Sequence, residues 1–221
     1  MTDDAEQVEF WNAQVYTRPY SHPIVEFFAK QRLKYIQPTL DLSEETRLLD
    51  VGCGNGFSTY YASSYKAKIF GVDRSLYMLG DHPLRSQVVC GEAYCLPFQD
   101  KSFDVVWSWE LLHHLGDPKR ALLEMQRVSS KFVVVFEPNR YNPALFLYGL
   151  FKKEERGVLR SSKKFLKKIA TADGWEISLI ENCGAILPNA TPPFLFKLLR
   201  LLPFHLPLVG ISTLLLAKRV G

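Results

Sequence analysis

An acidic residue followed by three alternate glycines is the part of this sequence best suited to chemistry. Asp50 ends a short apolar run, and Gly52, Gly54 and Gly56 follow it. Glycines let the backbone turn sharply and approach a ligand closely, because they have no Cβ. A carboxylate beside such a turn suits a ligand that carries an ammonium or hydroxyl group. We therefore expect a small-molecule site at the end of this run.

A pair of histidines, His113 and His114, is the clearest candidate for proton transfer. Imidazole is the side chain that titrates closest to neutral pH. Successive residues face different ways, so we expect only one of the pair to face the site, and we favour His113. Glu110 is a second candidate base, with a role at a helix start as the alternative, and His22 in the N-terminal cap is a third.

The elements that must position these residues alternate in type along the chain. Apolar, β-prone runs predict five strands before residue 139, over 47–51, 68–72, 87–90, 103–107 and 131–136. Helical patterns lie between these strands, over 57–66, from 74 to 80, and over 118–128, where Asp117 is the expected cap. This alternation predicts a doubly wound parallel α/β sheet with helices on both faces.

The two ends of the chain are less regular. Two helices precede the first strand and form an N-terminal helical cap, with Val15 on the first helix, Ser21 capping the second and Pro38 ending it. After residue 138 we expect helices over 142–151, 152–168 and 194–202, with strands over 176–181 and 211–218. The last two strands bring the sheet to seven.

Composition excludes several classes of protein. The chain has 221 residues, 47% of them hydrophobic, and a formal charge of only +4, which by itself does not indicate nucleic-acid binding. Its four cysteines form no CxxC pair, so we expect no zinc site of that kind, reduced thiols and a cytoplasmic location. The first ten residues lack the apolar core of a signal peptide. The apolar run 201–217 contains Pro203 and Pro207, which argue against a membrane span.

Residues 49–56 resemble the first motif of the class I S-adenosylmethionine-dependent methyltransferases. They depart from the dinucleotide fingerprint GxGxxG, which would need a glycine where Phe57 stands. Asp73, the segment 91–106 and the segment 107–115 resemble later motifs of the same family, in the same order. The resemblance covers about residues 47–138 and is closest to the branch that methylates small molecules, including quinones and sterols.

The resemblance implies that the seven-stranded sheet is mostly parallel with an antiparallel final strand, and it implies a site for S-adenosylmethionine. The glycine loop would hold the amino-acid end of the cofactor, Asp73 its ribose hydroxyls, and Glu92 with the N–H of Ala93 its adenine. The family more often has Asp where this chain has Glu92. The cofactor-binding residues implied are Asp50, Gly52, Cys53, Gly54, Asn55, Gly56, Asp73, Arg74, Glu92, Ala93 and Trp109. His113 and His114 would be catalytic.

The resemblance implies no metal. No clear acidic cluster follows the fourth or the fifth strand except Glu110 and Glu137, and Glu137 suits the end of a strand. Methyl transfer from a sulfonium is a direct displacement, so proximity and orientation can supply much of the catalysis. We therefore expect a reaction without a metal ion.

The choice of acceptor should depend on the two ends of the chain. The domain would divide into a cap (1–40), a cofactor-binding half (41–138) and an acceptor-shaping half (139–221). The aromatic residues of the cap favour an apolar or aromatic acceptor. Packing of these residues on the sheet is an equal alternative. The residues expected to contact the acceptor are Phe10, Trp11, Tyr16, Tyr20, Asn139, Arg140 and Asn142.

Three other functions stay open at this point. The basic segment 152–168 would suit an RNA or protein methyltransferase, although a motif for flipped bases after the fourth strand is absent. A nicotinamide-dependent oxidoreductase and a binding protein without catalysis are the others. The segment 191–209 combines apolar residues with Lys197 and Arg200, and would pack on the sheet, lie on a membrane surface or bind a partner.

Overall fold

The computed structural model describes residues 4–13 and 17–220. Within them, one mixed sheet contains the seven strands β1 (Arg47–Val51), β2 (Lys68–Asp73), β3 (Val88–Cys90), β4 (Phe103–Trp109), β5 (Ser129–Pro138), β6 (Trp175–Cys183) and β7 (Ser212–Arg219). Their order across the sheet is β3-β2-β1-β4-β5-β7-β6. The first five strands are parallel, and β7 runs antiparallel to both β5 and β6. This confirms the predicted sheet with its antiparallel final strand.

Helices cover both faces of this sheet, as predicted. They are α1 (Asp4–Asn12), α2 (Pro23–Leu40), α3 (Phe57–Ala62), α4 (Leu76–Gly80), α5 (Pro118–Val128), α6 (Pro143–Phe151), α7 (Lys163–Ala170) and α8 (Pro193–Leu199). One core lies between the sheet and α2 with α3, and a second lies between the sheet and α5 with α7. Burial on both faces explains why the central strands read as continuous apolar runs. Among the described residues, no helix has the length and apolarity needed to cross a membrane.

Two local predictions about the N-terminal helices need correction, and a third falls outside the described residues. His22, rather than Ser21, caps α2, because its Nδ1 accepts a hydrogen bond from the backbone N–H of Ile24. The helix continues past Pro38 to Leu40, and it ends where Asp41 adopts a left-handed conformation with φ of 47°. Val15, which we placed on the first helix, lies outside the described residues.

We had expected the charged segment 152–168 to form one helix, but it does not. It divides into a 3-10 helix, Lys153–Arg160, and the helix α7. The Ser162 side chain accepts a hydrogen bond from the backbone N–H of Phe165 and so starts α7 afresh. The 3-10 part packs instead against the turn that contains His113, and this contact brings it to the site described below.

Arg32 joins the N-terminal cap to the end of the sheet. Its guanidinium lies 3.7 Å from the ring centre of Phe28 and 4.6 Å from that of Phe136. It also donates hydrogen bonds to the carboxylate of Glu110, at 2.6 Å, and to the hydroxyl of Ser212. Only 2% of the Arg32 side chain is exposed, so the charge depends on these partners.

Replacing Arg32 therefore tests how the cap is attached. We expect Arg32→Ala to lower the free energy of unfolding by about 3 kcal/mol, because it leaves a carboxylate unpaired and opens a cavity between aromatic rings. Lys30→Ala on the same helix is the control, since its pair with Glu26 is exposed and should contribute less than about 0.5 kcal/mol. Urea unfolding of both variants gives the comparison, and equal losses would contradict this role of Arg32.

Candidate active site

A cavity of about 280 Å³ opens at the carboxyl ends of the parallel strands. Strands β1 and β4 are neighbours, and the chain order reverses between them, which is where doubly wound sheets bind ligands. Segments from the cap, from the loops after β1, β2, β3 and β4, and from α6 onwards all contribute to the wall. The predicted site residues that line it are Gly52, Gly54, Asn55, Asp73, Arg74, Glu92, Ala93, Trp109, His113 and His114.

The glycine loop after β1 is shaped by its contact with β2. Gly52, Gly54 and Gly56 have φ values of 74°, 51° and 86°, which favour glycine over residues with a Cβ. A Cβ at Gly52 would lie 2.8 Å from a methyl carbon of Leu111, so the loop also needs glycine for space. The Asp73 carboxylate accepts hydrogen bonds from the N–H of Gly54 and of Ser75, both at 2.8 Å. These bonds hold the loop and the end of β2 as one unit.

The loop after β3 supplies the next part of the wall. Glu92 and Ala93 line the cavity, and the Arg74 guanidinium pairs with the Glu92 carboxylate at 2.5 Å. This pair spans the loops after β2 and β3 and so positions the Glu92 side chain. Trp109, at the end of β4, is buried and packs against the ring of Phe57.

Three predicted cofactor-binding residues lie behind the cavity wall rather than in it: Asp50, Cys53 and Gly56. Asp50 is fully buried and accepts a hydrogen bond from the Ser58 hydroxyl. Burial raises the pKa of Asp50 to about 7. The Cys53 sulfur faces Gly71 on β2, and burial raises the pKa of its thiol. Asp50 and Cys53 thus pack behind the glycine loop, on the side away from the cavity.

At the other end of the cavity, His113 lies between two carboxylates. Its Nδ1 is 2.8 Å from Glu137 and its Nε2 is 3.4 Å from Glu155. Burial alone would lower the pKa of His113, but the charge and hydrogen bond of Glu137, aided by Glu155, raise it to about 10. Because both ring nitrogens face carboxylates, His113 has no free lone pair for a proton from an acceptor.

His114 has the opposite electrostatic character. Burial and the neighbouring His113 lower its pKa to about 4, so the ring is neutral near pH 7. Its Nδ1 is buried and lacks a hydrogen-bond partner within the described part of the chain. The expectation that only one histidine faces the site is wrong, because the 3-10 turn Leu112–His114 stacks the two rings, with centres 3.9 Å apart.

Sequence reasoning missed the two carboxylates that organise these histidines. Glu137 accepts hydrogen bonds from the backbone N–H groups of residues 111, 112 and 113, at 2.9, 2.6 and 2.9 Å. Glu155 reaches the site because Gly157 packs directly on the His113 backbone, where a Cβ would lie 1.6 Å from the carbonyl oxygen. The position of Glu137 at the end of a strand was the one feature of the sequence that could have indicated its role. Glu155 lies in a mostly basic segment, which gave no such indication.

The remaining candidate bases have structural partners. Glu110 lines the cavity but is paired with Arg32 and accepts from Ser212. His22 caps α2, as described above. Neither side chain is therefore free to accept a proton from an acceptor.

The predicted acceptor contacts are only partly brought to the cavity. Trp11 lines it, with its ring centre 5.3 Å from that of His114. Phe10 and Tyr20 do not, and Tyr20 packs on Tyr60 instead. Tyr16 lies outside the described residues.

The polar residues after β5 are structural. Asn139 and Asn142 donate side-chain hydrogen bonds to the carbonyl oxygens of Gly210 and Val209, which joins this loop to the start of β7. Arg140 packs against its neighbour Tyr141. The walls near the histidines come instead from Leu145, Tyr148, Val158 and Leu187.

Comparison with known proteins identifies the domain that builds this site. Residues 49–132 match the profile of a family described as a methyltransferase domain. The matched segment is similar to that family over less than half of the chain. The cofactor of such a domain is S-adenosylmethionine. The match covers the glycine loop, Asp73, Glu92 and the histidine pair.

Individual relatives of the methyltransferase domain agree with this. The chain is 34% identical over 113 residues to an uncharacterised methyltransferase of Schizosaccharomyces pombe, covering 44% of this chain and 38% of that protein. It is 32% identical over 98 residues to a ubiquinone biosynthesis O-methyltransferase of Coxiella burnetii, covering 41% and 42%. The chain thus spans about two fifths of the length of these relatives. The crystal structure of magnesium protoporphyrin IX methyltransferase from Synechocystis, with bound S-adenosylhomocysteine, has the same fold, with a TM-score of 0.65, 13% identity, and coverage of 98% and 100%.

The residues of the methyltransferase domain fit its cofactor. The loop needs glycine at positions 52 and 54, because both have a positive φ and a Cβ at Gly52 would displace Leu111, which lines the cavity. Each Asp73 oxygen accepts one backbone hydrogen bond and keeps a second lone pair for a ribose hydroxyl. Glu92 offers a carboxylate to an amine or hydroxyl at the same wall.

The buried Asp50 predicts a pH-dependent stability. Its pKa is about 7 in the folded protein and near 4 in the unfolded chain, so the folded state binds the proton more tightly. Stability from this group is therefore present at low pH and is lost as pH rises from about 4 through 7. We expect Asp50→Asn to gain stability relative to the parent between pH 5 and pH 8. Urea unfolding without cofactor measures this, and a difference independent of pH would contradict it.

Proposed function

We propose that this protein transfers a methyl group from S-adenosylmethionine to a hydroxyl of a small, lipophilic acceptor. The observation that carries the proposal is that one cavity joins the glycine loop with Asp73 at one end to the histidine and glutamate cluster at the other. A cofactor site and a polar, buried acceptor site are thus adjacent. The wall between them is largely apolar.

The residues of the chain have separate tasks in this reaction. S-adenosylmethionine supplies an electrophilic methyl group when bound. Asp73 and the glycine loop hold the cofactor in one orientation, and Trp11 and Trp109 close the cavity around it. His113 and His114 form the polar end at which an acceptor hydroxyl is held. Orientation of this kind supplies about 7–11 kcal/mol in well-aligned reactions.

The acceptor end favours a lipophilic molecule. Leu145 and Tyr148 of α6, with Val158 and Leu187, form its wall. A hydroxyl at the histidines and an apolar body along α6 would match both surfaces. The names of two relatives, a ubiquinone biosynthesis O-methyltransferase and a probable tocopherol O-methyltransferase of rice, support the same class of acceptor.

Exposed apolar residues near the cavity support a membrane surface as the source of such an acceptor. Helix α6 presents Leu147 and Phe151 to solvent, with Phe151 82% exposed, while its Leu145 lines the cavity. Helix α8 has no buried residue and lies in the segment 191–209 with Lys197. Exposed apolar surface flanked by basic residues suits a membrane surface. Peripheral membrane contact and a cytoplasmic location stay predictions.

The alternatives have less support. Lys164, Lys167 and Lys168 are exposed on α7, whose Leu166 and Ile169 pack on the core, and none of these lysines lines the cavity. A macromolecular acceptor would therefore gain little from the basic segment. A nicotinamide cofactor is disfavoured by the loop pattern described above.

The glycine loop gives a direct test of cofactor binding. We expect Gly52→Ala to weaken S-adenosylhomocysteine binding about tenfold or more, because the methyl group strains the backbone and displaces Leu111. Gly174→Ala is the matched control, since Gly174 has a similar φ of 76° but lies away from the cavity, and a Cβ there would make only an ordinary contact with the Val220 carbonyl oxygen at 3.7 Å. Calorimetry on both variants makes the comparison. Equal affinity in Gly52→Ala and the parent would show that the cofactor binds elsewhere.

The acceptor class can be tested with methyl-labelled S-adenosylmethionine. We expect the label in phenols or alcohols with an apolar tail, and not in RNA or protein. Leu145→Gln should lower kcat/KM for a tailed phenol about tenfold, because it places an amide in the apolar wall. Leu147→Gln, on the exposed side of the same helix, should leave it unchanged. Label in RNA or protein alone would refute the proposed acceptor.

A further inference from the structure

We propose that His113, His114 and Glu155 form a binding site for a divalent transition-metal ion of the zinc class at the inner end of the cavity. Each residue offers one ligand atom, and these atoms all lie within 4.8 Å of one another. The two histidines are buried, and Glu155 is largely so, with 21% of its side chain exposed. A cation bound there would be shielded from bulk water.

The distance between His113 and Glu155 suits two ligands of one ion better than a direct hydrogen bond. Their Nε2 and Oε2 atoms are 3.4 Å apart. Charge-assisted hydrogen bonds between nitrogen and carboxylate are shorter, about 2.7–2.9 Å. Two ligands held ~2.1 Å from a tetrahedral zinc ion lie ~3.4 Å apart. The distance between His113 Nε2 and Glu155 Oε2 thus equals the separation expected of two ligands on one zinc ion.

The surroundings of both imidazoles are those of metal ligands. Histidines that bind metals commonly give their second nitrogen to a carboxylate or a backbone carbonyl, which fixes the ring. Glu137 takes this place at His113 Nδ1, at 2.8 Å, and is itself held by three backbone N–H groups. The Glu154 backbone hydrogen-bonds the His114 ring, while His114 Nδ1 is buried and unpartnered in the described structure.

The donor set indicates which ions would bind. Two imidazole nitrogens and one carboxylate oxygen suit Zn²⁺, Fe²⁺ or Co²⁺, whereas Mg²⁺ and Ca²⁺ prefer oxygen ligands. The carboxylates of Glu137 and Glu155, which lie on either side of the His113 ring, also supply negative charge for a divalent cation to balance. This differs from the sequence-based expectation of no metal, which considered only the acids that follow β4 and β5.

Three protein ligands leave one coordination position open toward the cavity, as in catalytic zinc sites. An acceptor hydroxyl bound there would lose its proton more readily, because the ion stabilises the oxyanion. This role rests on the proposed function, whereas the binding of the metal does not.

Cobalt spectroscopy and calorimetry test the site on the full chain after dialysis against EDTA. We expect one Co²⁺ to bind per chain and to show the visible absorption band of a Co²⁺ ion with few ligands. Calorimetry should show one Zn²⁺ per chain. His114→Ala and Glu155→Gln should each weaken binding about a hundredfold, and Glu137→Gln about tenfold. His205→Ala is the matched control, because the exposed His205 pairs with Glu181 at 3.0 Å without a third ligand.

The outcomes separate this site from the proposed function when S-adenosylhomocysteine binding is measured on the same samples. Absence of stoichiometric Co²⁺ binding, or binding unchanged by both His114→Ala and Glu155→Gln, would overturn the metal site even where the cofactor binds. Metal binding without cofactor binding would support the site and refute the methyl transfer. Circular dichroism confirms that each variant folds, and His114→Asn replaces the alanine variant if that one does not.

Discussion

The carboxylate of Glu137 is the group on which the functional half of this structure depends. It is 1% exposed at the end of β5, and it accepts three backbone hydrogen bonds from the turn after β4 and a fourth contact from His113. A carboxylate buried to this extent is tolerated only with such partners. In return, it determines the conformation of the turn. The same turn places Leu111 against Gly52, so the histidine end of the cavity and the glycine loop are set by one interaction.

The cap and the later helices are attached to this centre by few but specific contacts. Asp4 accepts hydrogen bonds from the Tyr94 hydroxyl and the backbone N–H of Gly116. The Asn55 side chain donates to the hydroxyl of Thr17, and so ties the glycine loop to the start of the cap. Cofactor-binding loops are therefore held from both sides. The cavity is a product of these long-range contacts, since its wall combines residues from position 4 to position 190.

The regular elements could be predicted because each has a local cause. Central strands are apolar on both faces since both faces are covered, and α5 begins at Pro118 because Asp117 caps it. Predictions were poorer where two local causes competed. The segment 152–168 has helical charge patterning, yet Gly157 packs on His113 and Ser162 starts a new helix, so it folds as two pieces. No short-range pattern encodes a contact between residues 113 and 157.

The sequence by itself determined the sheet, the position of the glycine loop and the type of cofactor, because these depend on residues within a few positions of one another. Only the tertiary structure decided which of those residues face the ligand. Asp50 and Cys53 belong to the motif but lie behind it, because the Asp50 carboxylate is held by the Ser58 hydroxyl and the Cys53 sulfur faces Gly71 on β2. The tertiary structure also decided the protonation of the two histidines. Adjacent in sequence and identical in type, they differ because folding brings Glu137 and Glu155 to the ring of one and leaves a nitrogen of the other without a partner.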